Sequence, residues 1–250
     1  MVINTNTVAD KTSNNLKSSS IGLAKSLNRL SSGSKIVKPS DDAAGLAVAS
    51  RLEAQIKRLD AALSNVVNAV SFTQTQDGFL KTIDAALRRM GELAMLAQDG
   101  TKSENDRALY DQEFQQLKDY VERTRAKDFN NVRLFSDATL AVTIDAAGST
   151  FGIPGSDMSV ASYANALKGS AGQDPNDYLG IDSVVNAQEA LAAVKDAISQ
   201  IALDRAQLGA VQSRLEFTNQ QLTTTKENLS SAISRIMDVN VACLLYTSDA

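Results

Sequence analysis

Two adjacent carboxylates, Asp41 and Asp42, and a pair of arginines, Arg88 and Arg89, followed by Glu92, are the residues of this chain best suited by type and spacing to chemistry. A carboxylate pair could do general acid/base work or supply half of a metal site. Neighbouring residues on a helix point about 100° apart, so these two do not converge, and capping of a following helix explains them better. Glu104 with Asp106, and Asp174 with Asp177, lie in polar, loop-like segments without the Gly and Glu of a calcium loop. Arg88, Arg89 and Glu92 read as solvated helix surface or as a patch for a partner. Histidine is absent and cysteine occurs once, which removes histidine-dependent catalysis, an internal disulfide and a Cys-rich zinc site. No glycine-rich phosphate loop of either common type is present. The expectation is a protein with no catalytic, cofactor or metal site, and not an enzyme.

The surrounding elements are helical in composition. Of 250 residues, 43% are hydrophobic and only 5% aromatic, Trp is missing and Pro occurs three times, so the apolar material is mostly Leu, Ile, Val and Ala. Leu16, Leu23, Leu27 and Leu30 form one stripe of an amphipathic helix over 12–30. Ser31-Ser32-Gly33 ends it, Lys38-Pro39 imposes extended backbone, and Ser40 or Asp41 is the expected N-cap of the next helix, with Asp42 on its dipole. That helix runs over 41–98, about 87 Å at 1.5 Å per residue, too long for a compact globule. Its coiled-coil seam is Leu52, Ile56, Leu59, Leu63, Val66 and Val70, then Leu80, Ile83, Leu87, Met90, Ala94 and Ala97, with a polar interruption at Thr73, Gln76 and Asp77.

A third helix is expected over 103–126 with Leu109, Phe114, Leu117 and Val121 on its face. The Asn- and Gly-rich stretch 130–153 reads as a β-hairpin or small meander, and 154–182 as a connection with a short helix at 159–168. The last helix carries the clearest period: Val194, Ile201, Leu208, Leu215, Leu222, Leu229 and Ile236 recur every seven residues. A companion stripe at Leu191, Ile198, Arg205, Gln212, Asn219, Lys226 and Ile233 turns polar in its middle, a pattern that fixes register or partner choice.

Charge and termini bound the location. The net charge is −4, yet Lys11, Lys17, Lys25, Arg29, Lys35 and Lys38 against Asp10 leave +5 in residues 1–40. A solvated face accounts for that better than a membrane-surface helix. The first residues lack the apolar run of a cleavable secretory signal, and no stretch reaches the ~18 apolar residues of a membrane span. Residues 243–250, "CLLYTSDA", break the heptad and match the in-frame translation of a sequencing-library adapter, so they read as a non-native tail with the natural chain continuing beyond Ala242.

These motifs together resemble bacterial flagellin. "VINTNT" followed by "NNL", "LNRLSSGSKIVKPSDDAAGLAVASRL", "FNNVRLF" and "DRAQLGAVQSRLEFTNQQLTTTKENLSSAISRIMDVNVA" are similar to family signatures in the same order. The resemblance implies a mainly α fold, a long antiparallel helical coiled-coil rod with a small β-hairpin. It implies an inner-domain helix and start of the spoke linker at 1–40, with Gly33, Pro39, Asp41 and Asp42 in the linker. Residues 41–182 would form the outer rod domain, with a short connection replacing the variable domains, and 183–242 the C-terminal rod helix. The implied function is self-assembly into the flagellar filament for motility, after export by the flagellar type III apparatus without a cleavable signal peptide. Implied partners are other flagellin subunits, the export chaperone, the filament cap and hook-associated proteins, and the flagellin-sensing Toll-like receptor of animals, whose motif is matched by Arg89, Leu93 and Glu113. Gly91 departs from the basic residue often found there. The alternatives are the hook–filament junction protein, from which Ala43-Ala44-Gly45-Leu46 departs, and, from another class, a non-flagellar coiled-coil adaptor. An inserted His-Glu-x-x-His metallopeptidase, carried by some flagellins, is excluded by the absence of histidine.

Overall fold

The computed structural model describes residues 6–169 and 179–242. The expected tail at 243–250 and the pair Asp174 and Asp177 lie outside the described residues. Helix α1 (Thr7–Ser32) begins ahead of the predicted residue 12 because Asn6 caps it, its side-chain oxygen accepting from Ala9 N at 3.2 Å. It ends at Gly33, whose φ of 67° is the left-handed exit that glycine takes without steric cost. Helix α2 (Ala43–Ala97) follows. Its cap is Asp42 rather than Ser40 or Asp41: Asp42 Oδ1 accepts from Gly45 N at 2.8 Å and its carbonyl accepts from Leu46 N at 3.0 Å. Asp41 is turned to other work, described below.

Helix α3 (Glu104–Arg125) opens on a capping box between Ser103 and Asp106. Its inner face carries Phe114 and Val121 as expected, but Leu109 is 64% exposed and the buried neighbours are Arg107 and Lys118. Both bury an apolar stem and place the cation against carbonyl oxygens. Arg107 donates from Nε to Ala97 O at 2.8 Å and from Nη2 to Asp99 O at 3.1 Å, closing the carboxyl end of α2. Lys118 Nζ donates to Leu179 O at 2.7 Å and also to Lys168 O.

Two short antiparallel hairpins come next: β1 (Asp128–Phe129) with β2 (Val132–Arg133), and β3 (Leu140–Thr143) with β4 (Thr150–Ile153). Asn130 and Asn131, at φ of 50° and 61°, make the first turn, for which asparagine is suited. Helix α4 (Ala161–Ala166) is shorter than its predicted span, and α5 (Val184–Met237) completes the described order.

The chain divides into two compact units, one formed by residues up to Ala61 and from Leu222 on, the other by Ala62–Gln221. The division falls inside α2 and α5, whereas the sequence places its domain boundary at the joint near residue 40.

Within the second unit, Leu80, Ile83, Leu87, Met90 and Leu93 of α2 pack with Phe114 and Val121 of α3 and with Val194, Ala197 and Ile201 of α5 in one cluster that also takes in Tyr163 and Leu167. The polar interruption of the α2 seam has a structural use: Gln76 Nε2 donates to Leu134 O at 2.7 Å beside the hairpins, and Asp77 Oδ1 accepts from Arg205 Nε at 2.9 Å. Along α5 the stripe that accompanies the heptad is not the predicted one. Ala190, Ala197 and Val211 are buried, while Leu191, Ile198, Arg205 and Gln212 are only partly covered. Counting large apolar residues favoured Leu191 and Ile198 and passed over alanine. Asp204, also on the buried side, accepts from Tyr163 Oη at 2.6 Å and Ser156 Oγ at 3.2 Å.

The first unit has a smaller core, with Ile36, Ala49, Leu59 and Leu222 buried. Lys226 Nζ lies 2.7 Å from Asp60 Oδ1. The predicted heptad is fully buried from Val194 to Leu222 and only half-buried at Leu229 and Ile236.

Candidate functional site

Helix α1 contains no buried residue. Leu16, Leu23, Leu27 and Leu30 are 73%, 51%, 55% and 39% exposed, so the predicted stripe forms and nothing in the described chain covers it. A helix of 26 residues has enough periodicity to be amphipathic, but most helical stability in proteins comes from packing of the apolar face, which α1 lacks.

The joint after α1 is built from turns and specific polar contacts. Ile36 is its one deeply buried side chain, 5% exposed, and together with the capping Asp42 carboxylate it crowds Gly45. A Cβ at Gly45 would meet Ile36 Cδ1 at 3.0 Å and Asp42 Oδ2 at 2.5 Å. Asp41 N donates to Lys38 O at 2.9 Å, closing a turn with Pro39 in its second position, where a fixed φ is favoured. The Asp41 carboxylate then works in two directions. Oδ2 accepts from Val37 N and Lys38 N at 3.3 and 3.2 Å, and Oδ1 lies 2.7 Å from Lys25 Nζ and 3.8 Å from Arg29 Nη2, both on α1. The hydrogen bond from Lys25, supported by the Lys38 and Val37 amides, holds the Asp41 carboxyl at about 2, well below the usual carboxylate range. Asp41 and Asp42 thus diverge, one turned to the Val37 and Lys38 amides and Lys25 and the other capping α2, and do not form a pair.

The other side of the joint touches the end of α5. Lys35 N donates to Met237 O at 2.6 Å, Ser34 Oγ donates to the same oxygen at 3.1 Å, and Val239 N donates to Gly33 O at 3.2 Å. Residues 33–35 and 237–239 therefore clasp one another, with Ser34 and Asp238 as an antiparallel bridge, and the clasp satisfies a carbonyl that the helix end leaves open. Sequence reasoning missed this contact because it joins residues some two hundred positions apart through backbone atoms, which no side-chain pattern reports.

The Arg89 patch is an organised surface feature. Its guanidinium grips Glu113 through Nε at 2.7 Å and Nη2 at 3.1 Å, and reaches Glu92 Oε2 from Nη1 at 3.0 Å. Arg89 and Glu113 are both 46% exposed. Hydrogen bonding to Glu113, then to Glu92, raises the Arg89 pKa further, and the Arg89 contact lowers that of Glu113. Leu93 is 0% exposed and belongs to the core, so of the three residues matched to the receptor motif only Arg89 and Glu113 offer surface. The reason is the spacing: Leu93 falls on the same inward stripe as Met90 and Ala97.

Among the described residues no group of three or more His, Cys, Asp or Glu side chains could hold a metal ion, and no helix is long and apolar enough to cross a membrane. Long helices with a packed core in one part and an uncovered amphipathic helix in another make this a helical coiled-coil protein whose main surface feature is an exposed apolar helix face. The chain matches the bacterial flagellin N-terminal helical region over residues 3–139 and the bacterial flagellin C-terminal helical region over 191–243. It belongs to the bacterial flagellin family and is a structural subunit of the flagellar filament, outside the cell.

Curated relatives agree over nearly the whole length. A flagellin of Halalkalibacterium halodurans is 34% identical over 97% of this chain and 87% of its own. A 33 kDa flagellar filament core protein of Treponema phagedenis is 32% identical over 97% of this chain and 88% of its own. Among solved structures, a putative flagellar hook-associated protein of Vibrio parahaemolyticus superposes with a TM-score of 0.67 at 15% identity, covering 79% of this chain and 100% of that one. Bacillus cereus flagellin superposes with a TM-score of 0.54 at 24% identity, covering 68% and 94%. At these identities the superpositions speak to the fold alone.

Proposed function

We propose that this chain self-assembles into the flagellar filament by folding α1 against neighbouring subunits, after export through the flagellar type III apparatus in an unfolded state. Its role is mechanical and involves no catalytic step of its own. The observation that carries this reading is the uncovered Leu16, Leu23, Leu27 and Leu30 stripe on a helix with no buried residue. Ordering such a helix costs conformational entropy, and burial between copies supplies the compensating apolar transfer. The export chaperone guards this chain before export, and the cap and hook-associated proteins meet it at the filament ends.

Seeded elongation tests the reading. Purified chain added to short, sheared filaments at high salt is expected to lengthen them in electron micrographs. Seeds that keep their length at every subunit concentration overturn it.

The exposed Arg89–Glu113 fork supports recognition by the flagellin-sensing Toll-like receptor of animals, with Leu93 acting from beneath as packing that holds the α2 surface. Arg89→Asp is expected to abolish receptor signalling in a reporter cell; an undiminished signal refutes this assignment.

A further inference from the structure

We propose that Asp99–Gly100, in the turn between α2 and α3, is a site of spontaneous covalent modification: it converts to an isoaspartyl linkage through a succinimide, at a rate that the Thr101 hydroxyl restrains. The reaction belongs to the chain itself and needs no assembly.

An aspartate followed by glycine offers this reaction the least steric resistance, because the attacking nitrogen has no Cβ beside it. The chain has two such steps, Asp77–Gly78 and Asp99–Gly100. Asp77–Gly78 lies inside α2, where ladder hydrogen bonds hold the backbone at helical angles, and its carboxylate is drawn to Lys81 Nζ and Arg205 Nε, each at 2.9 Å. Asp99–Gly100 lies beyond the end of α2, and both residues are exposed. The Gly100 N–H meets no acceptor among the described residues, whereas the nearby amides of Gln98 and Lys102 donate to Ala94 O and Asp99 O. The attacking nitrogen is free, and water reaches the site.

The reaction balances with water as its co-reactant. Gly100 N gives up its proton and bonds to Asp99 Cγ, the protonated side-chain carboxyl loses its hydroxyl, and one water leaves as the five-membered imide closes. Water then adds back. Attack at the former side-chain carbon restores aspartate, while attack at the former main-chain carbon breaks its bond to Gly100 N and leaves the chain running through Cβ and Cγ. The old main-chain carbonyl becomes a free carboxylate. As a peptide carbonyl it accepts from Lys102 N at 3.2 Å and from Arg107 Nη2 at 3.1 Å, so the linkage adds one backbone atom where Arg107 closes the end of α2.

Thr101 supplies the restraint. Its N donates to Asp99 Oδ1 at 3.0 Å and its Oγ1 to Oδ2 at 2.9 Å. Ring closure needs the carboxyl protonated and turned to Gly100 N, and both contacts hold it ionised and turned to Thr101. The Thr101 amide and then its hydroxyl, with Lys102 in the turn and Arg107 on α3 as the charged groups acting on it, hold the Asp99 carboxyl below its ordinary pKa.

The test is peptide mapping of the full chain aged in neutral buffer, with electron-transfer fragmentation to tell isoaspartate from aspartate. Trypsin releases residues 90–102, which contain Asp99 as their single aspartate and no asparagine, so isoaspartate in that peptide is at residue 99. In the folded chain it is expected at Asp99 and not at Asp77; in urea, at both. Thr101→Val should speed the reaction about threefold at neutral pH, the scale of an exposed contact to a charged group. That excess should vanish at acid pH, below the folded carboxyl value, where both chains are protonated. Thr101→Ser should keep the parent rate. Gly100→Ala, whose Cβ would meet nothing within 4 Å, should slow the reaction with the thermal midpoint unmoved. A folded chain without isoaspartate at Asp99, over the time in which the unfolded chain converts, overturns the site. Equal rates for the parent and Thr101→Val, or an excess that persists at acid pH, overturn the role of Thr101.

Discussion

Replacing Leu16 by alanine separates the stability of the subunit from the stability of the filament. Leu16 is 73% exposed, and α1 has no buried residue, so in the free subunit the substitution removes little packing. Alanine is also a better helix former than leucine, and a surface change of this kind stays within about 0.5 kcal/mol. In the filament the missing surface counts. Full burial of a leucine side chain contributes about 1.5–3 kcal/mol, so covering the exposed part of Leu16 contributes about 1.5 kcal/mol, most of which alanine forfeits. An energy of that size is about a tenfold change in an equilibrium constant. The concentration of subunit left unpolymerised beside seeded filaments, measured in the supernatant after ultracentrifugation, is therefore expected to rise about tenfold, with the thermal midpoint of the free subunit unmoved. Leu23→Ala, at 51% exposure, should raise it by a smaller factor of about five. An unchanged supernatant concentration would refute the argument, and so would a thermal midpoint several degrees lower, since that would mean the stripe is already packed in the subunit.

Other perturbations test the core and the caps. Gly78→Ala in α2 and Gly209→Ala in α5 meet nothing within 4 Å and should each stabilise by about 1 kcal/mol, seen as a rise of about 2–4 °C in the thermal midpoint. Gly155→Ala should do the reverse, because its Cβ would lie 2.2 Å from Ser136 O, and a loss of several degrees is expected in the same scan. Tyr163→Phe removes a 2.6 Å hydrogen bond to the Asp204 carboxylate and should cost about 1.5–3 kcal/mol in urea unfolding. Burial, then the hydrogen bond to Asp204, raises the Tyr163 pKa, so its contribution is present below the unfolded phenol value and is lost as pH rises through the folded one. The difference in ultraviolet titration between the parent and Tyr163→Phe should accordingly show no ionisation of Tyr163 at the ordinary phenol pH.

Period-seven spacing located α5 and its buried heptad because large apolar residues repeat there without interruption, and turn chemistry located the exit at Gly33 and the hairpin at Asn130 and Asn131. What escaped the sequence was the work done by small and charged residues. Alanines 190 and 197 are buried where Leu191 and Ile198 seemed the stronger candidates by size. Arg107 and Lys118 occupy the inner face of α3 while Leu109 stands in solvent, because two long cations can bury their stems and end on carbonyl oxygens. Asp41 and Asp42 could both be read as capping residues, but only coordinates divide the roles, since the choice depends on where Lys25 lies. The Leu stripe of α1 was legible as a pattern; that it stays uncovered is a tertiary fact.

That contrast in burial also says why the polar joint carries so many directed contacts. A helix packed on a core is oriented by many weak contacts, and no single one is decisive. Helix α1 has none of them among the described residues, and what ties it to the rest of its unit is a turn at Pro39, a clasp onto Met237 and a carboxylate on Lys25. Each is directional, and none depends on apolar area that assembly must later use. A hydrophobic anchor at the same place would bind the stripe or compete with it for partners, lowering the energy available from polymerisation. Polar joints are thus suited to carrying a surface that, on the proposed assembly reading, must remain exposed until another copy covers it.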